Sequence, residues 1–390
     1  MADTAPPALD GLPASAWRPA WAEVDLDVIG ANVAFLVERC APAAVCAVVK
    51  ADGYGHGAAA VARAALGAGA TWLAVALVEE GVALRDEGID APVLLLSEPP
   101  PGAMGAVVAA RLTPTLYSHA GVSAAAAAAE AGGAPVAVHL KVDTGMHRVG
   151  ADPALVAGLA ASVRSEDALV LQGLWTHLAV ADEPDGDTYT QGQLARFEAV
   201  RGELAGAGVV PHLLHAANSA AALALPAARY DLVRCGIAMY GHPPRAGCTG
   251  PDDLRPALSL RARVSMVRTL EAGERLSYGR RHAVPARSVV ATVPLGYADG
   301  VTRRLGEVGA EVLVGGRRRP VAGTVTMDQL MVDCGPDAPV VPGDEVVLLG
   351  RQGGEEIRAE EWAGRLGTIT YEVLCGIGPR VPRVVVGSRP

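Results

Sequence analysis

The sequence predicts an α/β protein with an N-terminal (β/α)8 TIM-like barrel and a C-terminal, mainly antiparallel β domain. Between about residues 44 and 241, eight short apolar runs alternate with Ala-rich stretches of helical composition. Strand–helix alternation favours parallel pairing, and eight such units close into a barrel. After about residue 251, Val, Thr, Arg and Gly dominate and short β-like runs follow one another. We therefore predict a flexible tail over 1–20, a barrel over 21–250 and a β domain over 251–390.

The individual elements follow from periodicity and composition. Barrel strands are predicted at the apolar runs 45–49, 72–78, 93–96, 113–116, 136–142, 169–175, 212–215 and 231–234. Helices are predicted between them at 58–66, 118–131, 153–163 and 189–204. Strands of the β domain are predicted at 260–267, 288–294, 311–314, 331–333, 345–349 and 384–386. The strand-like segment 21–26 fits either domain.

Bulk properties restrict the class of protein. The 390 residues, 51% of them hydrophobic, suffice for two sizeable cores. A net charge of -9 argues against nucleic acid as a partner. The six cysteines form no C-x-x-C pair, which favours a reducing cytoplasm over a disulfide framework or a metal site. Neither a signal peptide nor a bilayer-spanning stretch is present, so we expect a cytoplasmic protein without a membrane partner.

Polar side chains stand at the predicted C-terminal ends of the barrel strands, the end at which barrel enzymes place their active sites. In strand order, these residues are Lys50, Lys141 with Arg148, His177, Asn218 with Ser219, and Arg234. Phosphate groups often bind after the seventh and eighth strands of such barrels. The rim therefore predicts a site for an anionic ligand.

Lys50 follows the buried run 45–49 and opens a turn that contains Gly53 and Tyr54. Partial desolvation at the mouth of a strand would lower the pKa of its amine and make it nucleophilic. Pyridoxal phosphate enzymes need such a lysine to form a Schiff base with the cofactor. The alternative is a strand-end lysine whose ammonium reaches solvent.

Ser219 begins a predicted helical stretch, 219–225, where a hydroxyl and free backbone N–H groups form a ready anion site. Gly236 allows close backbone approach, and Ile237 could offer a further N–H donor to the same anion. A plain helix cap explains Ser219 equally well.

Three further rim residues have two interpretations each. Arg234 follows an apolar pair and is either a ligand-binding cation or half of a barrel-end ion pair. Arg148 lies in a Gly-bearing loop and could bind a carboxylate through two hydrogen bonds, or be a surface arginine. His177 could be functional or a satisfied core histidine.

The β domain carries its own turns with polar side chains. They are Ser277-Tyr278-Gly279, the stretch from Pro294 to Gly300, Thr326-Met327-Asp328-Gln329 and Thr370-Tyr371-Glu372. Each turn is a weak signal by itself, because a lone tyrosine in a turn mostly serves packing.

The order of the motifs is distinctive and resembles the alanine racemase family. The motifs are V-V-K-A-D-G-Y-G-H-G, K-V-D-T-G-M-H-R, W-T-H, H-A-A-N-S, V-R-C-G-I-A-M-Y-G, L-S-Y-G, P-L-G-Y-A-D-G, T-M-D-Q and T-Y-E-V-L. They extend from about residue 21 to about residue 382. The resemblance implies a pyridoxal phosphate enzyme that interconverts L- and D-alanine and supplies D-alanine for peptidoglycan.

The resemblance also implies a two-base mechanism in a homodimer whose active sites are shared between subunits. Lys50 would bind the cofactor and act as the base on one face of the substrate α-carbon. Tyr278 of the second subunit would act on the other face, oriented by His177 and Arg148. Racemisation requires this, because a proton removed from one face is replaced on the opposite one.

The remaining roles are implied in the same way. Cofactor binding would fall to Lys50, Tyr54, His177, Asn218, Ser219, Arg234, Gly236, Ile237 and Tyr371, with Arg234 at the pyridine nitrogen. Substrate binding would fall to Arg148, Tyr278, Met327 and Asp328. Lys141 matches a lysine that is carbamylated in many members, and a carbamate there could hold Arg148.

Three positions depart from the usual family pattern. His147 stands where Gly is usual, Thr326 where Cys is common, and Gly53 where Ala is usual, which we expect to loosen the turn after Lys50 slightly. None removes a catalytic group.

Three alternatives remain: a racemase of broader range, a non-catalytic cofactor-binding barrel, and a decarboxylase of the same fold. The β domain argues against the second, and Tyr278 against the third, because decarboxylation needs only one face protonated.

Overall fold

The structure, a computed structural model, describes residues 17–245, 247–250 and 253–387. These residues fall into two compact units, one from Asp27 to Arg255 and one that combines the chain up to Leu26 with the chain from Pro256 onward. Of the predicted tail 1–20, only residues 17–20 lie within the described residues. No helix among the described residues is both long and apolar enough to cross a bilayer.

Strand β1 (Ala20–Asp25) opens the described chain and belongs to the second unit. It pairs antiparallel with the strand that begins at Leu258 and parallel with the strand that begins at Arg383. The sequence alone did not assign this segment to either domain. Its long-range pairing with these two strands assigns it to the second unit.

Eight parallel strands build the barrel of the first unit: β2 (Ala44–Val48), β3 (Trp72–Val75), β4 (Val93–Leu95), β5 (Thr115–Leu116), β6 (Val136–Lys141), β7 (Leu169–Trp175), β8 (Leu213–His215) and β9 (Leu232–Cys235). Their hydrogen-bonded orders are β4-β3-β2-β9 and β5-β6-β7-β8. A parallel bridge from Leu94 to Thr113 joins the two sets on one side. On the other side, the Asp231 N–H donates to Leu214 O at 3.0 Å. The predicted barrel is confirmed.

Helix α1 (Leu26–Cys40) precedes the first barrel strand. The connections between the barrel strands are mostly helical: α2 (Lys50–Tyr54), α3 (Ala58–Gly67), α4 (Val78–Asp86), α5 (Met104–Ala109), α6 (His119–Gly132), α7 (Pro153–Ser165), α8 (Asp187–Gly206) and α9 (Ser219–Ala224). Side-chain caps fix some of the starts. Ser118 accepts a hydrogen bond from Gly121 N, and Asp152 accepts one from Ala154 N with Pro153 at the first helical position.

The predicted strand 72–78 was wrong at its end. Strand β3 stops at Val75, and α4 begins at Val78 with Glu79 and Glu80 in its first turn. Acidic residues favour a helix start, but the apolar run continues across the junction, so hydropathy alone did not mark the boundary.

The second unit is mainly antiparallel. Its further strands are β10 (Leu258–Arg263), β11 (Met266–Leu270), β12 (Arg275–Leu276), β13 (His282–Ala283), β14 (Ser288–Val293), β15 (Glu311–Val314), β16 (Arg317–Pro320), β17 (Leu330–Asp333), β18 (Glu345–Gln352), β19 (Glu355–Ile357) and β20 (Arg383–Val386). The sheets have the orders β16-β15-β18-β10-β1-β20, β11-β14-β17 and β12-β13, with β19 on β18. Two short helices, α10 (Ala359–Leu366) and α11 (Thr370–Cys375), precede β20.

The predicted single strand 260–267 is two strands. β10 pairs with β1 and β18, whereas β11 pairs with β14 in a different sheet. The chain changes sheets at Val264 and Ser265, which local composition did not reveal because both sides are rich in β-favouring residues.

Candidate active site

The turn after Lys50 has a left-handed backbone. Ala51, Asp52, Gly53 and Tyr54 have φ angles of 51°, 51°, 61° and 53°. Left-handed conformations are unfavourable for residues with a Cβ and cost glycine nothing. Gly53 therefore suits this turn, whereas we had expected it to loosen the turn. The turn directs the chain away from β2 immediately beyond the barrel rim.

Local hydrogen bonds hold the turn on the end of the strand. The Gly53 N–H donates to Val49 O at 2.9 Å, and the Ala58 N–H donates to the Asp52 carboxylate at 2.8 Å, which fixes the start of α3. The Tyr240 hydroxyl donates to Val48 O at 3.0 Å. Lys50 is thus presented from a well-connected backbone at the mouth of the barrel.

Ser219 and Gly236 lie against each other at the ends of the last two barrel strands. The Ser219 Oγ accepts the Gly236 N–H at 2.9 Å, while Asn218 caps α9 by accepting the Ala221 N–H at 3.1 Å. The capping alternative for Ser219 was wrong, because Asn218 takes that role. The Ser219 hydroxyl instead faces the turn that leads to Ile237.

The Tyr54 hydroxyl approaches the backbone of Gly236 closely. A Cβ placed on Gly236 would lie 2.5 Å from this hydroxyl oxygen, so only glycine fits. The Tyr54 ring packs on Tyr240 with centroids 4.8 Å apart. Tyr54, Ser219 and Gly236 therefore bring two hydroxyl groups and a backbone N–H together at the barrel rim, and groups of this kind are suited to a phosphate.

Arg234 is buried on β9 and held by several acceptors. Its guanidinium donates to Thr176 O at 2.9 Å, to Ala216 O at 2.8 Å and to His215 Nδ1 at 2.9 Å. Burial lowers the pKa of Arg234 to about 10. Arg234 is therefore a rigidly oriented cation at neutral pH and has no carboxylate partner among these contacts, which disfavours the ion-pair interpretation.

Sequence reasoning did not single out the residues behind Arg234. His215 Nε2 and His139 Nδ1 lie 2.9 Å apart, and His139 Nε2 lies 3.2 Å from Gln172 Oε1. Trp175 stacks on His215 at 5.4 Å and lies under the Arg234 guanidinium at 4.5 Å. Burial lowers the pKa of His139 to about 4 and that of His215 well below its ordinary value. This pair of contacting histidines, the His139–His215 relay, is therefore neutral at pH 7. His139 and Lys141 are two residues apart on β6 and therefore point to the same face of the strand. This period-two pattern could have identified His139 from the sequence.

Positive charge is concentrated at the rim. Lys50 and Lys141 are the only lysines of the chain, a compositional signal that sequence reasoning passed over. Burial first, and then the charges of Arg234, Arg148 and Lys50, lower the pKa of Lys141 to about 7, against the opposing effect of Asp143. The Lys141 amine lies 4.1 Å from the centre of the Trp175 ring.

His177 lies in the same field. Its pKa is lowered well below the ordinary histidine value, first by burial and then by Arg234, Lys141, Arg148 and Lys50. His177 Nδ1 faces the Arg234 guanidinium at 3.4 Å. The structure thus places the positive charges of Lys50, Lys141, Arg148 and Arg234 close enough to His177 to lower its pKa, and these are residues that the sequence pattern assigned to the barrel rim.

Arg148 follows a loop with an unusual backbone at His147, whose φ is +54°. The side chain of His147 is exposed and faces Asp143 Oδ2 at 3.2 Å, while Asp143 Oδ1 accepts the His147 N–H at 3.0 Å. Histidine tolerates this region better than most residues, and the Asp143 contacts support it. The departure at position 147 therefore leaves the loop intact.

The second unit presents its predicted site residues on adjoining turns. The N–H groups of Tyr297 and Ala298 donate to Thr326 O and Met327 O, both at 3.0 Å. The Asp328 carboxylate accepts from Arg380 at 2.7 Å. These bonds hold the Met327–Asp328 turn in place.

Tyr278 protrudes from the second unit. Its side chain is 71% exposed within the single chain, and its carbonyl accepts from the Thr324 hydroxyl at 3.3 Å. Met327 is 52% exposed. Tyr371 lies in the first turn of α11. The exposure of Tyr278 and Met327 leaves these two side chains available to a neighbouring molecule. Among the described residues, no group of three or more His, Cys, Asp or Glu side chains could hold a metal ion.

Comparisons with known proteins give matches to one family over nearly the whole chain. Residues 24–244 match the family model "Alanine racemase, N-terminal domain" and residues 257–385 match "Alanine racemase, C-terminal domain". The alanine racemase of Symbiobacterium thermophilum is 51% identical over 380 residues, covering 97% of this chain and 99% of that protein.

Two solved structures show the same fold. The alanine racemase from D-cycloserine-producing Streptomyces lavendulae superposes with a TM-score of 0.90 at 40% identity, covering 95% of this chain and 98% of the other. A histidine racemase from Leuconostoc mesenteroides superposes with a TM-score of 0.87 at 29% identity, covering 95% and 99%.

Proposed function

The chain belongs to the alanine racemase family, and we propose that it interconverts L- and D-alanine with Lys50 and Tyr278 as the two acid–base groups. The product D-alanine supplies peptidoglycan synthesis. The observation that carries the assignment of Lys50 is its position. It is one of only two lysines in the chain and stands at the cationic barrel rim, four residues before Tyr54, whose hydroxyl lies against Gly236. All six cysteines are free, which supports a reducing cytoplasm as the location.

Pyridoxal phosphate is the cofactor on which this family depends, and we propose that this chain binds it at the barrel rim. Tyr54, Ser219 and the Gly236–Ile237 backbone would hold its phosphate, with Asn218 fixing the start of α9 and Tyr371 contributing a further hydroxyl. The fit rests on the close approach of three polar groups at the rim: the Ser219 hydroxyl accepts the Gly236 N–H at 2.9 Å, and a Cβ on Gly236 would lie 2.5 Å from the Tyr54 hydroxyl oxygen. When bound, the cofactor supplies the electron sink that acidifies the substrate Cα–H.

Arg234 would donate a hydrogen bond to the pyridine nitrogen. An arginine that remains charged can only donate, so it would keep that nitrogen unprotonated and weaken the electron sink. We infer that this limits side reactions such as transamination. The buried contacts from Thr176 O, Ala216 O and His215 orient the guanidinium for this task.

Two bases are needed because the proton leaves one face of the α-carbon and returns on the other. Lys50 would serve one face. Tyr278 of a second subunit would serve the other, and its exposure in the single chain supports a homodimer with shared sites. Met327 and Asp328 would line the substrate site from that same subunit.

A phenol has a pKa of about 10, so Tyr278 needs nearby positive charge to act as a base near neutrality. His177 cannot supply it, because its lowered pKa leaves the imidazole neutral. Arg148 is therefore the cation that would favour the phenolate, and it would also bind the substrate carboxylate. With Nδ1 facing Arg234, the His177 Nε2 carries the proton and can donate to the phenol oxygen.

We expect the Lys141 amine to react with CO2 as pH rises through about 7, the lowered pKa of this amine. Only the uncharged amine is nucleophilic, and burial among cations provides it at neutral pH. The resulting carbamate would convert a cation into an anion able to hold Arg148. Labelled bicarbonate followed by carbon NMR would show a carbamate signal that grows between pH 6 and 8 and disappears in Lys141→Met. A signal that stays absent above pH 8 would contradict this assignment.

The alternatives are weaker. A non-catalytic barrel would not need a second unit that displays Tyr278, and a decarboxylase would not need a second base. A protein named as a histidine racemase shares this fold, so the fold by itself does not decide which amino acid is the substrate. The test is to incubate the purified protein and pyridoxal phosphate with L-alanine and, separately, L-serine. D-alanine formation with little D-serine supports the proposal, and no isomer from either substrate would reject it.

A further inference from the structure

The left-handed turn after Lys50 is strained and must be held by its surroundings. From Ala51 to Gly55, all five residues have positive φ angles, and three of them are not glycine. Such conformations persist only where neighbouring groups enforce them, and they concentrate at functional sites. Ala51, which directly follows Lys50, is one of these residues, and its left-handed conformation requires support from neighbouring groups.

Glu80 makes that contact. Its Oε1 accepts the Ala51 N–H at 2.6 Å, a charge-assisted hydrogen bond to the residue beside Lys50. Its Oε2 accepts the N–H groups of Ala76 at 2.8 Å and Leu77 at 3.1 Å. One carboxylate thus ties the Lys50 turn to the end of β3 and the start of α4.

We propose that Glu80 is a positioning residue for Lys50. By accepting the Ala51 N–H, the Glu80 carboxylate fixes the backbone that carries the lysine side chain. This inference rests on the proposed function, since it concerns how Lys50 is held toward the cofactor. The competing role is helix capping alone. Glu80 is the third residue of α4, where Glu or Gln commonly accepts from the N-cap N–H.

The chain offers variants that separate the two roles. Glu80→Gln keeps one carbonyl oxygen for the cap but turns an amide N–H toward the Ala51 N–H. Glu80→Asp keeps the charge but is one methylene too short to reach both groups. Glu79→Gln is the matched control, because the exposed Glu79 has the same charge in the same first turn.

The measurement uses the holoenzyme and ethylamine as a competing amine. Ethylamine takes the place of the Lys50 amine on the cofactor, and Lys50 is released as the free amine. Borohydride then fixes the cofactor to whichever amine holds it, and mass spectrometry gives the fraction on Lys50. The ethylamine concentration at half displacement reports the effective concentration of the Lys50 amine.

We expect Glu80→Gln and Glu80→Asp to lower that ethylamine concentration by about tenfold, the size of one charge-assisted hydrogen bond, and Glu79→Gln to change it less than about twofold. If Glu80→Gln matches Glu79→Gln, or Glu80→Asp matches the native enzyme, the inference is overturned. Should Glu80→Gln fail to fold, Glu80→Asp decides alone. A native enzyme without cofactor on Lys50 would instead reject the proposed function.

Discussion

Lys50→Ala is expected to lose covalent attachment of the cofactor and to lower alanine racemisation by at least about three orders of magnitude, because one residue both holds the cofactor and moves the proton on one face. The effect is large because no other amine can substitute from nearby. The second lysine, Lys141, sits within the same rim, but its amine lies over the Trp175 ring.

Borohydride reduction followed by peptide mass spectrometry measures the attachment directly. With two lysines in the chain, the labelled peptides are easily distinguished. Lys141→Met serves as the comparison and should retain the cofactor on Lys50, whatever its activity. Label found on Lys141 in the native protein, or an unchanged visible spectrum in Lys50→Ala, would reject Lys50 as the anchor.

Tyr278→Phe is expected to keep the cofactor on Lys50 and to lower kcat/KM for racemisation by about two to four orders of magnitude, equally in both directions because an enzyme does not change the equilibrium between enantiomers. The substitution removes only a hydroxyl from a side chain that is 71% exposed in the single chain, so folding should be unaffected. Loss of the phenol deprives one face of the α-carbon of its acid–base group.

The control for Tyr278→Phe is Tyr230→Phe, which removes a phenol located just before β9 at the opposite end of the strands from the rim. It should retain activity within about twofold, because the half-buried Tyr230 lies away from the rim and loss of its hydrogen bond with Glu198 is expected to affect stability rather than catalysis. Initial rates from L-alanine and from D-alanine should be measured separately. A kcat/KM for Tyr278→Phe within about twofold of the native value would refute the two-base assignment.

Local patterns predicted the barrel well because each strand is a short apolar run between helix-forming stretches. The runs beginning at 169 and 136 lie within one residue of β7 and β6 at both ends. The same patterns failed where the outcome depends on distant partners. The pairing of β1 with β10 and β20 is set by residues hundreds of positions away, and the change of sheet after β10 depends on strands β14 and β18 further along the chain.

The site shows the same division. Residues at strand ends were predictable because a barrel brings all its C-terminal ends to one rim. The roles of Asn218 and Ser219 could not be separated, since either side chain can cap a helix. The His139–His215 relay and the Glu80 contact to Ala51 depend on side-chain orientation inside the barrel, which the sequence alone does not encode locally.

The most direct test of the two-base account is an early-time isotope measurement with the native enzyme. L-alanine is incubated in deuterated water, and the reaction is stopped after a few per cent conversion. The account predicts that the new D-alanine carries deuterium at Cα while the recovered L-alanine still carries hydrogen, because the proton is taken by one base and supplied by another. D-alanine that retains the substrate's own hydrogen would show one base serving both faces and would contradict the account.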